Sequence, residues 1–189
     1  MIISISGVAG SGKSTVAKIL MQKLNAERVY VGGIRRVLAK SKDMTIEELN
    51  EYAKTHPETD VDVDKLAVER VRSLDKQGKN VIVEGRTMFH FLPESIKIYV
   101  KVDPDEGARR VWKDLQENPE ERNQAKVSGL EELKVKTHER DLKDAERYLK
   151  YYGINHLDES HYDLVIDSTH IPAQEVAEKI IGFVEKISY

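Results

Sequence analysis

The run Gly7-Val8-Ala9-Gly10-Ser11-Gly12-Lys13-Ser14 constrains this chain more than any other feature, because it fits the spacing G-x-x-x-x-G-K-[ST]. Its glycines let the backbone fold with N–H groups turned inward around a phosphate. A helix opening at Gly12 adds unpaired amides and its N-terminal dipole to the same anion. Lys13 supplies a point charge to the β- and γ-phosphates, and the Ser14 hydroxyl suits Mg²⁺. The flanks agree: the β-branched run Ile2-Ile3-Ser4-Ile5-Ser6 reads as a buried strand, and Val16, Ile19, Leu20 and Leu24 repeat at helical spacing out to about Asn25. Gly7 to Ser14, with Thr15 following, are therefore the candidate contacts to a nucleoside triphosphate, with Mg²⁺ as its companion ion.

The remaining chain repeats the alternation of strand and helix. Arg28 to Val31, Asn80 to Val83, Ile96 to Val102 and Asp163 to Asp167 read as further strands. Helical patterns cover Ile34–Ala39, Ile46–Thr55, Val61–Lys76 and Pro172–Ile187. Five strands separated by helices predict an α/β fold: a five-stranded parallel sheet with helices on both faces, the P-loop NTPase arrangement. The 189 residues are read as a single P-loop domain with a core of 1–32, 79–103 and 156–189. Two stretches exceed an ordinary connection. Residues 33–78 form a helical insertion expected to bind an acceptor, and residues 104–155 form a lid with its supporting helices. Half of residues 105–150 are charged, which equally fits a solvated helical pair.

Composition narrows the surroundings. The 30 basic and 33 acidic residues leave a formal charge of -3, against a stable nucleic-acid partner. The absence of cysteine removes disulfides and thiolate chemistry. No apolar run approaches the ~20 residues of a membrane span, and the N-terminus does not read as a signal peptide. A cytoplasmic monomer without membrane contact is expected. No Asn-Lys-x-Asp segment reads guanine, and the third strand ends Val83-Glu84-Gly85-Arg86 rather than in paired carboxylates. Glu84 would hold a Mg²⁺-bound water beside Ser14, and Arg86 would meet a second anion, with Gly85 beside it. That pattern favours a kinase over a hydrolase. A kinase of another small metabolite, and a nucleotide-binding switch with little turnover, are the alternatives.

Several stretches, taken in order, resemble the nucleoside monophosphate kinases, and among them the short archaeal-type cytidylate kinases. They are the phosphate loop, Gly32-Gly33-Ile34-Arg35-Arg36-Val37-Leu38-Ala39, Val83-Glu84-Gly85-Arg86, the segment Thr137 to Tyr148, and Tyr152-Gly153-Ile154 with Tyr162 to Thr169. The resemblance implies transfer of the γ-phosphoryl of Mg-ATP to a nucleoside monophosphate, most specifically CMP or dCMP. It gives Arg36 and Arg86 to the acceptor phosphate and Arg140 and Arg147 to the transferring group, with Asp144 orienting the pair. Arg140 and Arg147 are seven apart, hence on one helical face with Asp144 between them.

The chain also departs from the family. The turn Tyr30-Val31-Gly32-Gly33 has no carboxylate, and Arg35 stands where an aromatic is usual, making the corner more basic. The acidic residues among 56–65 are read as charges at a helix N-terminus rather than as base contacts. His156 and His161 are read as surface histidines, not zinc ligands. One of Arg109 and Arg110 is placed toward the phosphates. Trp112, Tyr148, Tyr151 and Tyr152 are read as helix packing.

Overall fold

The central strand, β1 (Ile2–Gly7), is buried at every residue and lies in the middle of a parallel sheet in the computed structural model, which describes residues 1–117 and 127–187. The sheet has five strands in the order β2-β3-β1-β4-β5, with β2 Ala26–Tyr30, β3 Asn80–Glu84, β4 Ile96–Lys101 and β5 Leu164–Asp167. All four pairings are parallel, and Ile5 sits opposite both Glu84 and Ile98. The carboxyl ends of β1 and β3 thus stand side by side, which puts the phosphate loop next to Glu84, Gly85 and Arg86.

The strands alternate faces with period two. Ile3, Ile5 and Ile82 pack with α1 (Lys13–Lys23), contributing Val16, Ala17 and Leu20, and with the C-terminal helix Ala173–Ile187, contributing Val176, Ala177, Ile180 and Val184. On the other face Ile2, Val81 and Val83 pack under Val63, Ala67, Val71 and Leu74 of α4 (Glu58–Lys76). The first insertion comprises α2 (Val31–Ser41), α3 (Ile46–Ala53) and α4. Helix α3 opens on a capping box in which Thr45 and Glu48 satisfy each other's backbone N–H. Helix α5 (Met88–Phe91) is a four-residue turn that periodicity is too short to reveal. The second insertion holds α6 (Pro104–Glu117) and α7 (Leu130–Tyr152), and the C-terminal helix is α8. The lid reading of 104–155 includes 118–126, which lie outside the described residues.

Two boundaries differ from expectation. β2 ends at Tyr30, and α2 begins at Val31 with Gly32 and Gly33 inside its first turn. Both glycines are tolerated there because they make room for the Tyr30 ring. His156 is not on the surface: it is fully buried, edge-on to Tyr148 at 5.2 Å, while Tyr162 Oη donates to its carbonyl at 2.8 Å. The chain turns through Gly153 (φ 70°) at the end of α7 and runs back beneath that helix, carrying the ring into the aromatic core of Phe89, Tyr99, Tyr148 and Tyr162. Burial brings the imidazole down to about 3, so it is carried neutral. His161 is the more exposed of the two, stacked on Phe89.

Candidate active site

The phosphate loop adopts the backbone its glycines predict. Gly7, Gly10 and Gly12 have φ of 146°, 75° and 81°, and Gly12 caps α1 from the left-handed region. Gly10 is also the point of closest approach between the loop and α6. A Cβ there would stand 2.2 Å from the Gly107 carbonyl oxygen, which no side chain tolerates. Lys13 Nζ donates to the Val8 carbonyl at 2.9 Å. Burial, and next the Arg86 charge, bring the lysine down to about 8. Ser11 is buried and Thr15 exposed, with Val8 and Ala9 half-buried.

Ser14 Oγ donates to one carboxylate oxygen of Glu84, and Arg28 donates to the other. Glu84 is almost wholly buried, so its charge needs Arg28 as counter-ion. Arg28 lies on β2, one strand away from Glu84, and no motif marks it; only the parallel pairing of β2 with β3 brings the two together. A hydroxyl and a carboxylate side by side at the rim of a phosphate loop are hard oxygen donors of the kind Mg²⁺ takes alongside phosphate and water.

Beyond Glu84 the chain delivers Arg86 into a buried ionic network. Arg86 donates to Asp141 and Asp144 of α7 through separate nitrogens. Burial opposes its charge, but these two carboxylates outweigh that and hold the guanidinium firmly protonated. Asp144 is pressed down to about 2 against its own burial by Arg86, Arg147 and Arg140. Arg147, 4% exposed, donates through Nε to Asp60 at 2.7 Å, and its Nη2 lies 2.9 Å from Asp144 Oδ1 without hydrogen-bond alignment. Arg140 is 3.9 Å from Asp144, and burial, then the Arg86 charge, make its protonated form less favourable. Among buried polar atoms without a hydrogen-bond partner are Arg140 Nε, Asp144 Oδ1 and both terminal nitrogens of Arg147. These positive groups are crowded together with donor capacity unspent.

The structure places Arg86, Arg140, Asp144 and Arg147 in one network, and Glu84 and Gly85 beside it. Arg36 lies across the corner on α2, donating to Tyr30 Oη and at 3.3 Å to the Gly32 carbonyl. Other readings are corrected. Asp60 and Asp64 are not solvated helix charges. They are 2% and 5% exposed, on the inward stripe that also carries Val63, Ala67 and Val71, while Glu58 and Asp62 face solvent. Asp60 receives Arg35 as well as Arg147, and Asp64 accepts from Thr87 at 3.0 Å and Tyr152 at 3.0 Å. Arg35 does not add positive charge to the corner: it is buried against Asp60 and Asn50. Arg109 pairs with Glu106 on the surface, whereas Arg110 braces the carbonyls of Ser168 and Thr169 after β5. The Ser168 hydroxyl in turn reaches the Ser11 carbonyl at 2.9 Å. Among the described residues no cluster of three His, Asp or Glu could hold a metal by itself, and no helix is long and apolar enough to cross a membrane.

Three comparisons bear on this geometry. Residues 3–137 match the family model described as "AAA domain". A cytidylate kinase of Archaeoglobus fulgidus is 34% identical over 186 residues, 98% of this chain and 95% of that protein. A cytidylate kinase of Sulfolobus acidocaldarius is 36% identical over 189 residues, again 98% and 95%. Among solved structures, shikimate kinase from Acinetobacter baumannii superposes with a TM-score of 0.59 at 18% identity over 98% of this chain and 93% of that one, a likeness of fold.

Proposed function

Because this chain belongs to the cytidylate kinase family and is a nucleoside monophosphate kinase, we propose that it moves the γ-phosphoryl of Mg-ATP to CMP or dCMP. The observation that carries the reading is the grouping of Arg86, Arg140 and Arg147 around Asp144, in the same electrostatic neighbourhood as Lys13. Phosphoryl transfer asks little covalent chemistry of a protein, and positioning with neutralisation of charge does most of the work. The loop amides and Lys13 hold the donor phosphates. Ser14 and Glu84 are the residues that would hold Mg²⁺, which supplies charge neutralisation between the donor's phosphates when bound. Arg36 and Arg86 hold the acceptor phosphate, since two of the Arg86 nitrogens each give one hydrogen to a carboxylate and other N–H donors stay unspent. Arg140 and Arg147 approach the transferring group as α6 and α7 close, and exclusion of water then suppresses hydrolysis and strengthens each contact. No side-chain nucleophile is required.

The reading predicts ADP release that depends on acceptor. Purified protein with Mg-ATP is offered CMP, dCMP, UMP, AMP, GMP or no acceptor. Turnover confined to CMP and dCMP supports it. Equal release with and without acceptor would make the protein an ATPase or switch, and silence throughout would move the acceptor outside the nucleotides.

A further inference from the structure

Tyr30 carries no motif, yet it stands where the two substrate sites meet. It is the last residue of β2 and the N-cap of α2, and its ring lies over the first turn of that helix. A Cβ on Gly32 would be 2.8 Å from ring atom Cε2, and one on Gly33 would be 2.7 Å from Cδ1. Neither glycine has a positive φ, so neither serves a backbone shape forbidden to other residues. The Gly-Gly pair is a seat for the ring. From that seat the hydroxyl accepts from Arg36 Nη1, and the guanidinium groups of Arg28 and Arg36 stand 4.5 Å and 5.6 Å from the ring centroid. Arg28 continues to Glu84, and Glu84 to Ser14 of the phosphate loop.

We propose that Tyr30 is a positioning residue that aims Arg36 at the acceptor phosphate and, through Arg28 and Glu84, ties that grip to the phosphate loop. This rests on the assignment of Arg36 to the acceptor made above. An unrestrained arginine samples many rotamers; on this half-buried turn a fixed phenol oxygen and an aromatic face narrow the choice for Arg36 before the substrate arrives. The turn itself holds no carboxylate, and the ring acts there through the two arginines.

The test uses Arg36→Ala, Tyr30→Phe, their double variant and Gly33→Ala, with steady-state kinetics in both substrates and a thermal melt. The acceptor is CMP, or whichever monophosphate the panel above selects. Tyr30→Phe keeps the ring in its seat and loses only the hydroxyl. The acceptor KM should rise about tenfold (~1.4 kcal/mol), with kcat and the ATP KM changed less than about twofold and the melting temperature unmoved. Gly33→Ala touches no substrate, and its gain in helix propensity offsets part of the cost of moving the ring, so the chain should remain folded with only a small change in melting temperature. It should raise the acceptor KM nonetheless, because the methyl displaces the ring. On the Arg36→Ala background Tyr30→Phe should add nothing to the acceptor KM. An unchanged acceptor KM in Tyr30→Phe, or additive losses in the double variant, overturns the proposal. If Arg36→Ala itself leaves the acceptor KM unchanged, the acceptor assignment falls and this inference with it; if Arg36→Ala raises it and Tyr30→Phe does not, only the role of Tyr30 falls.

Discussion

Asp60→Asn should cost more stability than its polar, conservative character suggests. The carboxylate is 2% exposed and lies between two buried arginines from different helices: Arg35 of α2 on one oxygen and Arg147 of α7, at 2.7 Å, on the other. Removing one partner of a buried ion pair costs about 3–5 kcal/mol, because the remaining charge is left uncompensated. Here each arginine keeps a second partner, Asn50 at 2.8 Å for Arg35 and Asp144 at 2.9 Å for Arg147, and the amide oxygen of asparagine can still accept one hydrogen bond. The lower end, about 3 kcal/mol, is therefore expected. At roughly 2–4 °C per kcal/mol for a chain of this size, the melting temperature should fall by about 6–12 °C. Differential scanning calorimetry reads this directly. A double-mutant cycle with Arg35→Met should return a coupling of about 1–3 kcal/mol, since the two residues share the pair. A fall below about 2 °C, or a coupling near zero, would refute the claim that Asp60 neutralises both arginines and joins α2 and α4 to α7.

Three further outcomes follow from particular groups. Burial raises Asp64 from 3.8 to about 6, so the folded protein binds this proton more tightly than the unfolded chain. The associated stability is full below about pH 4 and is lost as pH rises through about 6. Urea unfolding from pH 4 to 7 should show the wild type losing up to ~3 kcal/mol relative to Asp64→Asn over that window, and parallel curves would reject the assignment. Lys13→Ala should nearly abolish acceptor-dependent ADP release without lowering the melting temperature, and activity near wild type would remove Lys13 from the phosphate site. Gly10→Ala puts a methyl 2.2 Å from the Gly107 carbonyl oxygen at a φ of 75°. It should raise the ATP KM by more than about tenfold and change the acceptor KM less than about twofold; equal effects on both would mean that the loop and the acceptor corner move as one.

What a reader of the sequence can recover here is whatever depends on neighbours in the chain. The phosphate loop is legible because strand, glycines, lysine and helix are contiguous, and β1 and β3 are legible because buried parallel strands leave short apolar runs, whereas the half-buried β2 leaves a weaker mark and its bounds shift. The pairing of Arg140, Asp144 and Arg147 is legible because one helix fixes their spacing. The Arg28–Glu84 pair and the Asp60 bridge are illegible for the opposite reason. Arg28 and Glu84 are 56 residues apart, and Asp60 and Arg147 are 87, so only sheet order and helix packing bring them together. An acidic residue near a helix start looks solvated until a second helix covers it, and then the same aspartate must find a cation or be protonated. Asp60 took the first course, between Arg35 and Arg147; Asp64, with only hydroxyls as partners, moved toward the second. The two carboxylates lie one turn apart on the same stripe of α4, and their different fates follow from which side chains the tertiary fold delivered to each. That difference gives α4 a fixed ionic frame at Asp60 and a proton-sensitive carboxylate one turn on, at Asp64.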